Sequence, residues 1–382
     1  MTTPRRRLAG LVVVVALSVI AAGLILRVRQ NDTEIAAPAP ISVYSRHFVQ
    51  SAAPPRAFPE SELLSALTAA CAVPDPDSVD QELTQNEAET QIDAFKKLKA
   101  SLSERLSVSP SAEHLHLAAL LEDDPATRVA LLDRAISRSP SDPFLIWDAV
   151  RICSEPGKST LCPLRDWEKH LVSVDGQNSE SWIRIAANRY AERDYNAALD
   201  AMRQASAAAE SRAYWTESIE MIERSLAAGS GYAFPERAGM AFGLASAGLP
   251  RYGNYVKMCR EQAARSVDWA QACLAYGERL ANQGKTDWDV SIARTMRRLA
   301  LEALGEEEKA AEVEHRYQAF LQERLAYFKG DYPTVERLII SSPTLFSAFL
   351  AKVSSEGEEA ARQYISVEVG RLLEQQPELA CE

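Results

Sequence analysis

The sequence predicts an all-α protein in which paired helices follow one membrane-spanning helix near the N-terminus. Apolar residues recur at three- and four-residue steps from Glu60 onward, which is the spacing of amphipathic helices. No set of alternating apolar and polar residues indicates strands. Glycine and proline, at 16 and 19 of 382 residues, are too few for a turn-rich β-sandwich. Together these observations argue against an all-β fold.

The segment Glu306–Phe328 is the clearest example of the helical pattern. Its acidic first turn suits the positive end of the helix dipole. Gly305, just before it, is typical of the end of a preceding helix. The apolar residues of the segment form one stripe: Val313, Tyr317, Phe320, Leu321 and Phe328. The pattern predicts one continuous helix over 306–328.

The uncharged stretch Leu8–Leu26 has the length of a membrane span. As a helix it would be about 28 Å long, close to the ~30 Å hydrocarbon core of a bilayer. Arginines at positions 5–7 favour a cytoplasmic N-terminus. A cleaved signal peptide and a buried soluble helix are the alternatives. Because Ile20-Ala21-Ala22 is a poor cleavage site, the sequence favours an uncleaved signal anchor in a bacterial inner membrane, with the body in the periplasm.

Proline-rich composition follows the anchor and indicates a semi-extended tether. The helical patterns then continue to the end of the sequence. The predicted organisation is a cytoplasmic N-terminus at 1–7, a transmembrane anchor at 8–26, a Pro/Ala-rich tether at 27–59, helical repeats at 60–210 and a divergent helical-repeat region at 211–382.

The segment Ser179–Ala205 resembles one tetratricopeptide repeat, a helix–turn–helix unit of about 34 residues. The segment departs from the family pattern where Arg189 stands in place of a tyrosine, with Tyr190 following. Trp147 precedes the segment at a spacing close to the family period. The residues that carry the resemblance are Trp182, Ile185 and Ala186 in the first helix, and Ala198, Met202 and Ala205 in the second.

This resemblance implies a right-handed superhelical array of antiparallel helix pairs, a tetratricopeptide-like solenoid. In the family, the small residues allow the two helices of a repeat to approach closely, and the large ones fill the gap to the next repeat. Solenoids of this kind present extended concave surfaces. Tetratricopeptide arrays commonly scaffold complexes or assist assembly, so the resemblance implies partner binding on the inner helices.

Four cysteines form two pairs that could each face across a helical hairpin. Cys153 and Cys162 bracket a turn-rich stretch, whereas Cys259 and Cys273 stand at equal distances from a turn expected at Ser266. Closing either loop with a disulfide would stabilise the fold by roughly 3 kcal/mol in the chain-entropy description. The spacing therefore predicts two hairpin disulfides and an oxidising compartment.

Cys71 and Cys381 remain, and could join the start of the folded body to its tail. Six cysteines allow 15 connectivities, so spacing alone does not fix the pairing. Buried, reduced thiols are the alternative for all three pairs. Zinc is disfavoured because the sequence contains no C-x2-C pair.

The sequence contains no recognisable catalytic or cofactor-binding motif. It lacks a G-x-S-x-G elbow, an H-E-x-x-H pair and a P-loop. His114 and His116 are two residues apart and would point in different directions on a helix, which favours packing or solvent-facing roles. The net charge of −11 disfavours nucleic acid. We therefore expect no catalytic residue, no cofactor, no metal and no nucleic-acid partner.

Three functions are compatible with these features, and the least specific is that the helices merely space or dimerise other envelope components. The first is a non-enzymatic, membrane-anchored periplasmic scaffold or assembly-assisting protein. It would contact the lipid bilayer through residues 8–26 and bind a protein or peptide partner in the cell envelope on its helical-repeat surface. The alternative is an envelope enzyme, such as a cell-wall glycan or peptide hydrolase. That enzyme would need a cleft of converging polar residues and a carboxyl group of shifted pKa.

Overall fold

The structure is a computed structural model that describes residues 63, 65–68, 85–154, 162, 166–247, 252–329 and 332–375. Within these ranges the chain forms helices and short connections and contains no strand, so the predicted all-α fold class is confirmed. One isolated parallel β-bridge joins Asn178 and Glu210. The predicted anchor, the tether, Cys71 and Cys381 lie outside the described residues.

Sixteen numbered helices follow a helical stretch at 65–68. They are α1 Gln85–Ser107, α2 Ala112–Leu121, α3 Pro125–Arg138, α4 Pro143–Cys153, α5 Trp167–Asp175, α6 Ser179–Ala191, α7 Tyr195–Ala207, α8 Trp215–Gly229, α9 Phe234–Ala247, α10 Tyr252–Ala263, α11 Val267–Gln283, α12 Asp287–Ala303, α13 Glu307–Lys329, α14 Tyr332–Ser341, α15 Pro343–Glu356 and α16 Glu358–Gln375. The helix predicted over 306–328 is α13.

Short polar side chains define where many of these helices begin. Each accepts a hydrogen bond from a backbone N–H of the first turn that no helical carbonyl can reach. At α12, Thr286 and Asp289 cap one another's backbone N–H groups in a complete capping box. The residues whose side chains cap in this way are Ser111, Asp124, Asp142, Asp166, Asn178, Asp194, Thr286 and Ser342.

Successive helices pack against one another along most of the chain, as expected for helix pairs. The pairs α1–α2, α2–α3, α6–α7, α8–α9, α11–α12 and α15–α16 are among the most extensively packed. The pair α6–α7 coincides with the tetratricopeptide-like segment, and its turn passes through Arg193 with a left-handed φ of 63°. The structure therefore agrees with a helical-repeat fold at the level of adjacent pairs.

The buried apolar side chains form two large clusters that do not follow the sequence order. The first cluster gathers residues of the 63–67 stretch, α1–α5, α8, α9 and α14–α16. The second gathers α6, α7 and α10–α12. Helix α8 packs on α1, α2 and α15, although a simple solenoid brings together only neighbouring repeats. A continuous right-handed superhelix thus remains a prediction, as does the division at residue 210.

An ion-pair network joins the start of α12 to the two helices that lie beside it. Asp287 accepts from Arg324 of α13 at 2.5 Å and from Arg362 of α16 at 3.0 Å. Both arginine side chains are buried, at 6% and 5% exposure. The Glu358 carboxylate also accepts from the Asp287 backbone N–H at 3.0 Å. These contacts fix the last described helix against the middle of the chain.

Two disulfides cross-link helical hairpins in the structure. Cys153 is joined to Cys162 and Cys259 to Cys273, with Cα–Cα distances of 5.5 and 5.9 Å. These are the two pairs that the sequence spacing predicts. Ser266 precedes α11 as its N-terminal flanking residue, so the expected turn lies between the second pair. The disulfides indicate an oxidising compartment outside the cytoplasm.

Replacing Cys259 and Cys273 together by alanine is expected to lower the free energy of unfolding by roughly 3 kcal/mol, because the open chain gains entropy in the unfolded state. Urea unfolding of the variant and of the oxidised native protein measures the difference. A reductant should then destabilise the native protein more than the variant. Free thiols at both positions in peptide maps of the native protein would contradict the pairing.

Among the described helices, none taken singly is long and apolar enough to cross a membrane. The segments Val335–Ser341 and Pro343–Glu356 reach that threshold only in combination, and a bend of 115° separates them. The predicted span at 8–26 lies outside the described ranges and is not among these helices.

Candidate functional site

The candidate site is a shallow cleft where α2, α4, α8 and α9 meet. Four aromatic residues line it, and its free volume of about 10 Å³ holds roughly one water-sized group. Ala213 and Ser218 contribute small side chains to the lining. We call this cleft the aromatic notch, and its aromatic residues are Phe144, Trp147, Tyr214 and Trp215.

Helix α4 supplies the floor of the notch. Its N-terminus is fixed by Asp142, whose carboxylate accepts from the Phe144 backbone N–H at 3.0 Å. Phe144 is half-buried, and its ring stacks on Tyr214 at a centroid distance of 5.4 Å. One turn later Trp147 is buried and meets the Tyr214 ring edge-on at 5.5 Å. These ring contacts hold the aromatic residues in one rigid group.

The connection between α7 and α8 supplies the rim of the notch. The Asn178 side chain holds it, donating to the Arg212 carbonyl and accepting from the Arg212 N–H, both at 2.9 Å. Tyr214 has a left-handed φ of 57°, a conformation that non-glycine residues adopt only when their surroundings fix it. Its ring packs under the Arg212 guanidinium at 4.7 Å. Trp215 then begins α8 beside the notch.

A buried ion pair lies at the base of the notch. The Asp148 carboxylate accepts from His116 Nε2 at 3.0 Å and from Arg151 Nε, so all three side chains are engaged. His116 and Asp148 are only 1% and 2% exposed. Burial alone would raise the pKa of Asp148, but the Arg151 charge and the His116 hydrogen bond hold that pKa well below its usual range.

A second buried polar group lies behind Trp147. The Arg184 guanidinium carbon is 3.7 Å from the centroid of the Trp147 ring, which is a close cation–π contact. Arg184 is 4% exposed, and its Nε and Nη2 atoms have no hydrogen-bond partner among the described residues. Burial lowers the pKa of this guanidinium. Trp147 therefore separates the notch from a desolvated positive charge.

Glu180, one turn before Arg184 on α6, is the acidic member of this group. Its Oε1 accepts from the Tyr276 hydroxyl at 2.6 Å, whereas its buried Oε2 has no partner within the described ranges. Burial and the nearby Asp289 carboxylate raise the pKa of Glu180 to about 7, against the opposing effects of Tyr276 and Arg184. Glu180 does not line the aromatic notch.

Helix α10 closes the buried polar group with two tyrosines. Tyr252 and Tyr255 are both buried, and their rings meet edge-on at 5.8 Å. Burial raises the pKa of Tyr255 to about 12 and that of Tyr252 well above its usual value. The Tyr252 hydroxyl has no hydrogen-bond partner in the described part of the chain. Both tyrosines are buried among helices, so they do not form a surface that a partner could contact.

A wider cleft of about 230 Å³ lies between α1 and the turn that joins α2 to α3. Lys96 and Lys99 stand on one wall, and Glu122 and Asp123 on the other. Lys99 forms an ion pair with Asp123. Because charges of both signs line this cleft, it shows no preference for one charged ligand. We therefore assign it no ligand.

The residues predicted to pack the tetratricopeptide-like repeat all lie in α6 and α7. Ile185, Ala186, Ala198, Met202 and Ala205 are buried in the second cluster. Trp182 is half-buried, and its indole N–H donates to the Gly176 carbonyl at 2.8 Å. The small residues lie where α6 and α7 pack together. These positions form structural packing and do not contribute to the notch.

The two histidines of α2 differ in their surroundings. His116 is a buried partner of Asp148, whereas His114 is half-buried and hydrogen-bonds the Ser109 hydroxyl at 2.7 Å. Within the described ranges, no three His, Cys, Asp or Glu side chains are placed to hold a metal ion.

Glu180 and Arg184 were not predicted as site residues. The sequence does contain a sign of their burial. Glu180 and Arg184 lie on a helix whose apolar residues, including Ile183 and Ile185, cover more than one face.

Comparison of the sequence with known protein families and with curated protein sequences finds no match. The class that the structure defines is an all-α protein of packed helix pairs with two disulfides.

Proposed function

We propose that this protein is a non-enzymatic binding protein, a membrane-anchored periplasmic scaffold or assembly-assisting protein with a tetratricopeptide-like helical surface. It binds a protein or peptide partner of the cell envelope. The observation that carries the proposal is the aromatic notch, a cleft lined by Phe144, Trp147, Tyr214 and Trp215. Aromatic residues in well-packed surface depressions are typical anchors of protein interfaces.

The location rests on separate support. Two disulfides are compatible with an oxidising compartment, because cytoplasmic thiols are kept reduced. The apolar stretch 8–26 supplies a span of membrane length in the sequence. The tether at 27–59 would hold the notch away from the bilayer and leave it accessible to a partner.

The hydrolase alternative draws on the raised pKa of Glu180, which is a feature that many catalytic carboxyl groups share. Glu180 is only 1% exposed and does not line the notch, however, and a catalytic acid must reach its substrate within hydrogen-bonding distance. Asp148, the carboxylate that does line the notch, is held by His116 and Arg151. The arrangement therefore supports binding better than catalysis.

Photo-crosslinking in intact cells tests the proposal. A photoreactive residue replaces Ala213, which lines the notch, and in a control it replaces Val267, which is 61% exposed and lines neither cleft. We expect a protein adduct from position 213 and none of that size from position 267. Replacing Trp215 by alanine should remove the adduct, because it removes one wall of the notch.

Two results would contradict a scaffold that binds through the notch. One is equal crosslinking at both positions. The other is recovery of glycan fragments alone from position 213, which would favour the hydrolase instead.

A further inference from the structure

The two disulfides differ in how far solvent reaches their cysteines. Cys259 and Cys273 are both 0% exposed, and both belong to the second apolar cluster. Cys162 is 7% exposed, whereas Cys153 is half-buried and packs against the first cluster as a partly covered residue. Among these four described cysteines, Cys153 therefore keeps the largest contact with solvent.

Helices enclose the Cys259–Cys273 bond. It joins α10 to α11, and α11 packs in addition on α7 and α12. Two large side chains of the same cluster, Met258 and Tyr276, are themselves 0% exposed. A reducing agent reaches these sulfur atoms only after the helices have separated, because no part of either cysteine contacts solvent in the folded protein.

The Cys153–Cys162 bond lies at the end of a helix instead. Cys153 is the last residue of α4, and the next residue, Ser154, is exposed. The bond closes a short connection, since the two cysteines are nine positions apart in the sequence. Because one of its cysteines already contacts solvent, attack on this bond requires no separation of helices.

Helix α4 does not depend on this disulfide for its C-terminal end. The Ser154 backbone N–H donates to the carbonyls of Val150 and Arg151, at 3.2 and 3.1 Å. The Ser154 hydroxyl donates to the Arg151 carbonyl at 2.7 Å. Earlier in α4, Asp148 accepts from His116 Nε2 of α2 at 3.0 Å. These contacts do not involve sulfur, so we expect α4 and the notch residues that it carries to stay in place when the bond opens.

We propose that the Cys153–Cys162 bond is a thiol–disulfide exchange site, opened and re-formed by a protein dithiol of the C-x-x-C type, whereas Cys259–Cys273 is a structural bond that such a protein does not reach. This inference goes beyond the proposed function and does not depend on partner binding at the notch. A C-x-x-C dithiol suits the role because one of its thiols is readily deprotonated and the other stands beside it.

The exchange is a transfer of two electrons and, in net, two protons from the dithiol to the disulfide. A thiolate of the dithiol attacks Sγ of Cys153 and forms a mixed disulfide. The sulfur–sulfur bond of the protein breaks, and Cys162 leaves as a thiolate that takes up a proton from water. The second thiol of the dithiol then loses its proton and attacks the mixed disulfide, which releases Cys153 as a thiol and leaves the dithiol protein oxidised.

Timed reduction of the purified full-length chain tests the difference between the two bonds. The native protein is incubated with dithiothreitol in the absence of denaturant, samples are blocked with N-ethylmaleimide, and the labelled cysteines are located by peptide mapping. We expect Cys153 and Cys162 to be labelled at least roughly tenfold faster than Cys259 and Cys273. In urea the rates should converge, because unfolding exposes all four sulfur atoms.

A trapped intermediate shows which sulfur is attacked. The probe is reduced thioredoxin in which the second active-site cysteine is replaced by serine, so that the mixed disulfide cannot resolve. We expect its adduct at Cys153. The double variant Cys153→Ala/Cys162→Ala should form no adduct. The matched control, Cys259→Ala/Cys273→Ala, should form it as the native protein does.

Three results would overturn the proposal. The first is equal labelling of the two bonds in the native protein, and the second is an adduct at Cys259 or Cys273 or no adduct at all. The third is loss of the helical circular dichroism when Cys153–Cys162 alone is reduced, because the bond would then be structural as well.

Discussion

Replacing Asp148 by alanine is expected to lower the free energy of unfolding by about 3–5 kcal/mol. The carboxylate is 2% exposed and is the shared acceptor of His116 and Arg151, so its removal leaves a largely buried arginine without this counter-charge. Urea unfolding followed by circular dichroism measures the change. Asp148→Asn should lose less, because the amide oxygen can still accept one hydrogen bond.

The matched control is Asp200→Ala. The Asp200 side chain is 75% exposed and forms an ion pair with Arg203 at 3.4 Å, a surface contact. Such pairs contribute about 0–1 kcal/mol, so this variant should be close to the native protein in stability. A loss at Asp148 no larger than the loss at Asp200 would show that the buried pair is unimportant for stability.

Glu180 should make the protein less stable as the pH rises. The pKa of the folded state is about 7, above the reference value of 4.5, so the folded protein keeps a proton that the unfolded chain releases. The stabilisation is fully present below about pH 4.5 and is lost as the pH rises to about 7, in total roughly 3 kcal/mol. Glu180→Gln removes this dependence, because the amide stays neutral.

The test compares unfolding free energies of the native protein and Glu180→Gln from pH 5 to 8. We expect the free energy of unfolding of Glu180→Gln, minus that of the native protein, to increase as the pH rises from 5 to 8. Glu358 titrates in the same range, since burial raises its pKa to about 7, but its effect cancels in the difference. Glu192→Gln, the same substitution at a side chain that is 52% exposed, is the matched control. Parallel curves for the native protein and Glu180→Gln would refute the assignment.

Local features of this protein could be predicted from the sequence. The apolar spacing of α13 predicts a helix that matches the structure within one residue at each end. The pairing of Cys259 with Cys273 follows from their equal distances to Ser266. Helix periodicity, capping and hairpin geometry act over fewer than about twenty residues, so short stretches of sequence contain the required information.

The notch could not be predicted in the same way, because it depends on the return of α8 to α2. Trp147 and Trp215 are far apart in the sequence, and no spacing rule brings them to one cleft. The burial of Glu180 and Arg184 could not be predicted from the sequence for a different reason. An acid and a base four residues apart usually form an exposed pair on a helix surface. Here Trp147 of α4 and helices that follow later in the chain bury the two side chains, and no local pattern predicts this packing.

The order in which the chain is synthesised determines when the first cluster can be completed. Its early helices, α1–α5, emerge long before α14–α16, which share that cluster. An array of strictly neighbouring repeats could cover its apolar faces progressively during synthesis. Here the part of the cluster that packs on α14–α16 stays uncovered until these late helices have been synthesised, and exposed apolar surface of this kind favours aggregation. Folding of the first cluster therefore depends on helices from both ends of the described chain, and its early helices are exposed to aggregation for longer than those of the second cluster.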